Sequence, residues 1–231
     1  FYLKIDDQTS LIKYNMSFPY LAKKIFSKGF ELYENRLASN GICNQTQLIT
    51  RVKIPNIPYW DGLLPCQHLL VIYEQGIGDN ILYYRFLLMC AQLYPNMKVT
   101  YFCKSNVSHL FKNMLNNINI IDDSQDIDLK PYQYKTYIMS LPYILQVRSI
   151  SYNTYNYINI NNEHSKKWSS KLETQKIKIG FTYKGLLNSF IEKHIPLSYF
   201  KTIANMDNVK LICLHKDDEI IDDLKTIDFA D

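Results

Sequence analysis

The stretch Glu74-Gln75-Gly76-Ile77-Gly78-Asp79-Asn80 holds two of the chain's 7 glycines, one residue apart. It lies between the apolar run "HLLVIY" and the long apolar run "ILYYRFLLMCAQLY". A strand, a glycine turn and a helix with an acid in its first turn can carry group-transfer chemistry. Glycine lets a ligand approach the backbone closely, and the N–H groups of a helix start favour an anion. A carboxylate there, Asp79, can take a proton from a substrate hydroxyl within hydrogen-bond reach. The structural use of the same carboxylate is a helix cap worth about 1 kcal/mol, and spacing alone does not choose between base and cap. The competing chemistry is a dinucleotide site, which needs Gly-x-Gly-x-x-Gly and an acid after the second strand. Ile81 stands in the third glycine position and Lys104 where the acid belongs. A nicotinamide- or flavin-binding oxidoreductase is therefore the most distant alternative. Arg85 is the one strong charge inside the apolar helix, and burying it alone is costly, so a structural ion pair with Glu74 is expected.

Other residue clusters carry less. Cys66-x-His68 and Cys213-x-His215 lack the spacing of zinc sites and read as strand packing. Five cysteines without a Cys-x-x-Cys pair suggest reduced thiols and a cytoplasmic setting. The net charge of +4 is mild and its lysines are scattered, which argues against the clustered basic stripe of a nucleic-acid binder. No charge-free apolar run approaches the roughly 20 residues of a membrane-spanning helix. Apolar content of 47% and charged content of 21% are those of a globular chain with a buried core. The 19 tyrosines fit a biased genome as readily as a binding surface. The sequons at Asn15, Asn44 and Asn106 match what chance yields in an Asn-rich chain.

The elements that must position the turn follow from periodicity. Residues 17–38 read as one helix with Leu21, Ile25, Phe26, Phe30, Leu32 and Tyr33 as its apolar stripe and Gly29 as an interruption. Residues 39–65 are punctuated by Gly and Pro and read as a linker, with "PYWDG" as a turn anchored by Trp60. Strands are expected at 68–74, 98–103, 118–122 and 134–140. Helices are expected at 79–94, buried on most sides, and at 107–115. This β-α-β-α-β order predicts a parallel sheet. A polar helix near 161–173 precedes a second series: a strand at 176–183, a helix at 196–205, a strand at 208–214 and a helix at 217–227. The chain opens at Phe1 and closes in "DDLKTIDFAD", so it is expected to be a piece of a longer protein.

The order of "PYWDG", "HLLVIYEQGIGDNILYYRFL", "SLPYIL" and "KIKIGFTYKG…IPLSYF" resembles a known arrangement. It is that of the glycosyltransferase-like domain found behind tetratricopeptide repeats, which is similar to the heptosyltransferase family (glycosyltransferase family 9). The likeness spans residues 20–231, and "LAKKIFSKGFELYENRL" resembles the last helical segment before the Trp-Asp-Gly turn. It implies an α/β GT-B fold, with two Rossmann-like domains facing across a cleft. Residues 1–65 would be a helical segment and linker, 66–175 the acceptor-side domain, and 176–231 an incomplete donor-side domain. It implies metal-independent transfer from a nucleotide-sugar co-substrate, with no cofactor, to an acceptor hydroxyl on a glycan or protein. Asp79 inherits the role of general base. Gly76, Gly78, Gln75 and Asn80 fall at the acceptor-side turn. Lys184, Gly185 and Lys193 fall at the donor-side loop. Glu74 and Arg85 match family positions without an assigned chemistry, and upstream tetratricopeptide repeats are implied partners.

Two departures stand out. Where the family has Arg-Ser-Ile-Pro-Leu this chain has Lys193-His194-Ile195-Pro196-Leu197, and lysine is a point charge without the guanidinium fork. The family's main donor motif would lie after Asp231. Both departures motivate a second hypothesis, a non-catalytic binding or scaffold module of the same fold.

Overall fold

The computed structural model describes residues 7–37, 57–112, 114–150, 157–158, 160, 162–172, 174–183, 195–214 and 226–228. Contacts divide the chain into two compact units, Phe1–Ile160 and Asn161–Asp231.

The first unit opens with two helices where one was expected. Helix α1 (Asp7–Ala22) ends at a break around Lys24, whose φ of 62° is left-handed, and α2 (Phe26–Tyr33) runs into a 3-10 turn, Glu34–Leu37. The break therefore falls at 23–25, not at Gly29. Gly29 is buried inside α2, where a Cβ would stand 2.6 Å from Leu21 Cδ2. Its small size lets α1 and α2 pack closely. Ile25, assigned to the apolar stripe, lies in the break and is exposed.

Four strands build the sheet: β1 (His68–Ile72), β2 (Lys98–Cys103), β3 (Ile118–Asp122) and β4 (Tyr134–Tyr137). All are parallel, in the order β3-β2-β1-β4. Leu69, Leu70, Val71 and Ile72 are fully or almost fully buried, as the unbroken apolar run of a central parallel strand requires. Helix α3 (Ile77–Leu93) joins β1 to β2. It is less enclosed than its composition suggests, since Leu82 and Leu93 are exposed while Tyr84, Leu87 and Cys90 reach the core. The helix expected at 107–115 shrinks to one 3-10 turn, Ser108–Leu110. Beside it, Phe111 stacks on Tyr84 at 4.3 Å and its carbonyl accepts the Tyr84 hydroxyl. Strand β4 stops at Tyr137, and 138–140 turn into a 3-10 piece before the short helix α4 (Leu141–Ile144).

The expected turn at 58–62 is present and does more than punctuate. Trp60 is 3% exposed and its indole N–H donates to the Leu64 carbonyl. Asp61 Oδ1 accepts the N–H groups of Leu63 and Leu64, and Gly62 takes φ 81°, a glycine conformation. Pro58 and Trp60 also exchange backbone hydrogen bonds with Lys135. Part of the expected linker thus extends the sheet beyond β4. Phe30, Tyr33 and Trp60 share one core with the four strands.

The second unit contains α5 (Asn162–Lys171), α6 (Ser198–Ala204) and a parallel three-stranded sheet. Its strands β5 (Ile177–Phe181), β6 (Val209–Cys213) and β7 (Thr226–Asp228) lie in the order β5-β6-β7. A small core of Phe181, Tyr183, Leu211 and Cys213 backs it, with Phe200 against Phe181 at 4.5 Å. Most of the helix expected at 217–227 lies outside the described residues, and its end, Thr226 and Ile227, belongs to β7. Both units are thus α/β with parallel sheets. No helix among the described residues is long and apolar enough to cross a membrane.

Two predictions follow from the packing. Alanine in place of a helical glycine ordinarily gains about 1 kcal/mol, but Gly29→Ala must push Leu21 aside. It should instead cost roughly 1–3 kcal/mol, the range for overpacked sites, read as a lower urea midpoint. Burial pushes the thiols of Cys90 and Cys103 up to about 12. A raised folded-state value contributes stability below the ordinary thiol range and loses it as pH climbs through the raised value. Native alkylation at pH 8 should label half-exposed Cys66 well before either, and stability should fall as pH approaches about 12; equal labelling of the three would contradict this burial.

Candidate functional site

The order β3-β2-β1-β4 creates a topological switch between β1 and β4, and ligands of open α/β sheets bind outside the strand ends at such a switch. The chain leaving β1 there is Tyr73 to Gly76, and the chain leaving β4 is Ile138 to Ser140. The sequence-predicted residues Gln75, Gly76, Gly78, Asp79 and Asn80 all fall on the β1–α3 connection.

Gly76 is the N-cap of α3, with φ −80° and ψ 172°, and Gly78 is the second helical residue. Neither needs glycine for its backbone. The left-handed position of the turn is instead Gln75, at φ 57°, a conformation that costs a non-glycine residue about 1 kcal/mol or more and must be held from outside. Its holders are visible. Gln75 Nε2 donates to the Tyr33 hydroxyl at 2.8 Å, and the Gln75 carbonyl accepts Lys104 Nζ at 3.2 Å. Lys104, which stands where a dinucleotide fold would place a ribose-binding acid, is thus engaged with the turn and with the Tyr73 ring.

Asn80 is 1% exposed and uses its whole amide. Nδ2 donates to the carbonyls of Glu74 and Gly76, and Oδ1 accepts the Tyr101 hydroxyl at 2.7 Å. It clamps the turn from below and is not directed outward to a ligand. Asp79 is half-buried. Its Oδ2 accepts the Gly76 N–H at 2.9 Å, so it caps its own helix, and no other hydrogen bond to it is present among the described residues. Gly78 is exposed, and a Cβ built on it would meet nothing within 4 Å. The start of α3 is open at that point. Tyr83 lies one helical turn beyond Asp79. Burial pushes its hydroxyl up to about 12, Arg36 draws it down, and the Asp79 charge adds to the rise.

Arg85 does not pair with Glu74. It donates to the Leu82 carbonyl and the Tyr157 hydroxyl and lies over the Tyr157 ring at 5.1 Å. Glu74 is taken by Arg36, a residue that sequence reasoning passed over. Arg36 Nε and Nη2 grip the two Glu74 oxygens at 3.1 and 2.7 Å, and both side chains are almost fully buried. Nη2 also reaches Ser140 Oγ at 2.8 Å, and Nη1 reaches Glu34 at 2.6 Å and the Tyr33 carbonyl at 3.3 Å. Burial pushes the Glu34 carboxyl upward, and Arg36 draws it back. A glutamate just beyond a buried strand signals that some cation must come to it. Nothing local identifies Arg36, which stands 38 residues earlier.

No group of three or more His, Cys, Asp or Glu among the described residues is placed to hold a metal ion. His68 Nε2 lies 3.0 Å from Thr100 Oγ1 and its ring packs on Tyr132, while His215 lies outside the described residues. Lys184, Gly185 and Lys193 also lie outside them. No protein-family model, curated protein or solved structure matches this chain.

Asn80→Ala should strand the Tyr101 hydroxyl and the Glu74 carbonyl in the interior, while the Gly76 carbonyl keeps the backbone N–H of residue 80. At about 1–3 kcal/mol per unsatisfied buried group, unit 1 should lose roughly 3 kcal/mol in urea unfolding; a loss below 1 kcal/mol would mean the clamp is dispensable.

Proposed function

We propose that this chain is part of a GT-B glycosyltransferase, with the Glu74–Asn80 turn as its acceptor-side site. The supporting observation is Gly78. Neither its backbone conformation nor a packed neighbour requires glycine, and glycine inside a helix costs about 1 kcal/mol relative to alanine. A ligand approaching the helix start closely supplies the missing reason.

In this reading the acceptor hydroxyl sits beside Asp79. Its oxygen forms a bond to the anomeric carbon of a nucleotide-bound sugar while the bond from that carbon to the diphosphate breaks. The hydroxyl proton passes to Asp79, and the nucleoside diphosphate leaves with the bonding electrons. Gly76 and Gly78 permit the close approach, Gln75 and Asn80 shape the turn, and Lys184, Gly185 and Lys193 would face the diphosphate. The resemblance to the heptosyltransferase family and to domains behind tetratricopeptide repeats supports this assignment. We place the protein in the cytoplasm on its thiols, since Cys66, Cys90, Cys103 and Cys213 are all unpaired.

A second reading is a binding or scaffold module of the same fold. Two observations favour it: Asp79 is engaged as a cap, and a buried ion pair fills the strand ends at the switch point.

Asp79→Asn separates the roles, because an amide oxygen can still accept the Gly76 N–H but cannot take the proton. In the full-length protein, transfer should fall by about 10²–10⁴-fold, the usual contribution of a general base, with the unfolding midpoint nearly unchanged. Unaltered turnover removes Asp79 from the chemistry. Calorimetry against a nucleotide-sugar panel decides the second reading, which stands if no donor binds.

A further inference from the structure

The turn is tied down by two sets of contacts. One comes from its own sheet and helix: Asn80 holds the Glu74 and Gly76 carbonyls, Lys104 holds the Gln75 carbonyl, and Asp79 holds the Gly76 N–H. The other comes from the N-terminal helices. Tyr33 receives the Gln75 amide, and Arg36 grips Glu74. The two sets meet on either side of Gln75, the residue held in a left-handed conformation.

The Arg36 guanidinium has five N–H donors. Each is used: two on Glu74, one on Ser140, one on Glu34 and one on the Tyr33 carbonyl. The group is therefore fixed in plane and direction. It joins the end of α2, the second residue beyond β1 and the turn after β4 at one point. A lysine could supply the charge but not the fork that holds both Glu74 oxygens and Ser140 together.

We propose that Arg36 is the positioning residue of the Glu74–Asp79 turn, which makes the N-terminal helical pair a working part of the site. Glu74 precedes the left-handed residue directly, so the direction of its side chain sets the path by which the chain enters the turn. With the fork in place, Gln75 is held between Glu74 and the Asp79-capped Gly76, and the Asp79 carboxylate keeps one orientation. Without it, the Glu74 carboxylate is buried beside an incomplete partner and moves toward water, taking Gln75 and Gly76 with it. The inference rests on the transfer reading for its functional meaning, but not for its test.

Amide hydrogen exchange on the full-length protein provides that test. In Arg36→Lys the amides of Gly76 and Asn80, both bonded within the turn, should exchange at least about tenfold faster, while those of Leu70, Val71 and Ile72 in β1 keep their protection. Faster exchange by one common factor in turn and strand would mean that Arg36 merely stabilises the unit. Unchanged turn amides would overturn the proposal outright. If Arg36→Lys fails to fold, Arg36→Met with Glu74→Leu and Glu34→Gln removes the Arg36–Glu74 pair and the charge of Glu34, a replacement of a kind that often preserves stability. Accelerated turn amides in that folded triple variant support the fork; wild-type protection overturns it. Absence of sugar transfer by the wild-type protein would sink the transfer reading and leave this result standing.

Discussion

A carboxylate buried at the end of a central strand must be matched, and the first unit is organised around that demand. Glu74 lies just beyond the four buried apolar residues of β1 and is itself buried. Taking one partner from such a pair costs about 3–5 kcal/mol, because the remaining charge is left unpaired in the interior. The match arrives from outside the sheet, on the 3-10 turn that ends α2. Once Arg36 is there, α2 has little choice of position. Phe30 packs edge-on to Phe86 at 6.0 Å, and Tyr33 reaches Met139 and Gln75. The helical pair is thus placed by a polar contact and secured by aromatic ones, a division of labour suited to fixing one arrangement among many apolar alternatives.

The tyrosines extend the same logic. Tyr33, Tyr84 and Tyr101 are buried with their hydroxyls bonded to a side chain or a carbonyl. Each contributes a large apolar ring and one directional bond. Tyr101 is the most informative. It stands fully buried on β2, and its hydroxyl fixes Asn80 across the helix–sheet interface. The tyrosine-rich composition therefore has a structural use at several positions, whatever its origin.

Much of the fold was legible where the local signal was strong. The runs at 68–72, 98–103 and 118–122 are strands because continuous apolar or alternating β-branched residues leave few other options. The Trp60–Gly62 turn was readable from side-chain chemistry. The failures have separate causes. "VSHLFKNML" has a helical spacing, yet Phe111 is drawn onto Tyr84, and that tertiary contact overrides propensity. Gly29 looks like an interruption in the apolar stripe, yet in the structure it is a packing site between two helices. Sequence proximity points Glu74 to Arg85, while its actual partner stands 38 residues earlier in the chain. Within the turn, the residue types announced a site, but the two glycines drew attention from Gln75, which carries the unusual backbone angle.

The sequence distances spanned by the Arg36 contacts bear on how the chain is made. Arg36 meets Glu74 38 residues later and Ser140 104 residues later. A ribosome adding about 5–20 residues per second needs roughly 5–20 s to pass from one end of the longer contact to the other. During that interval α1 and α2 emerge while Phe30, Tyr33 and the guanidinium still lack the neighbours that β1, α3 and the end of β4 supply. Long-range contacts reward the chain only after the intervening loop has closed. The helical pair that carries Arg36 is thus made well before the strands that cover it, and until they arrive its aromatic face is a stretch of the nascent chain in need of shelter.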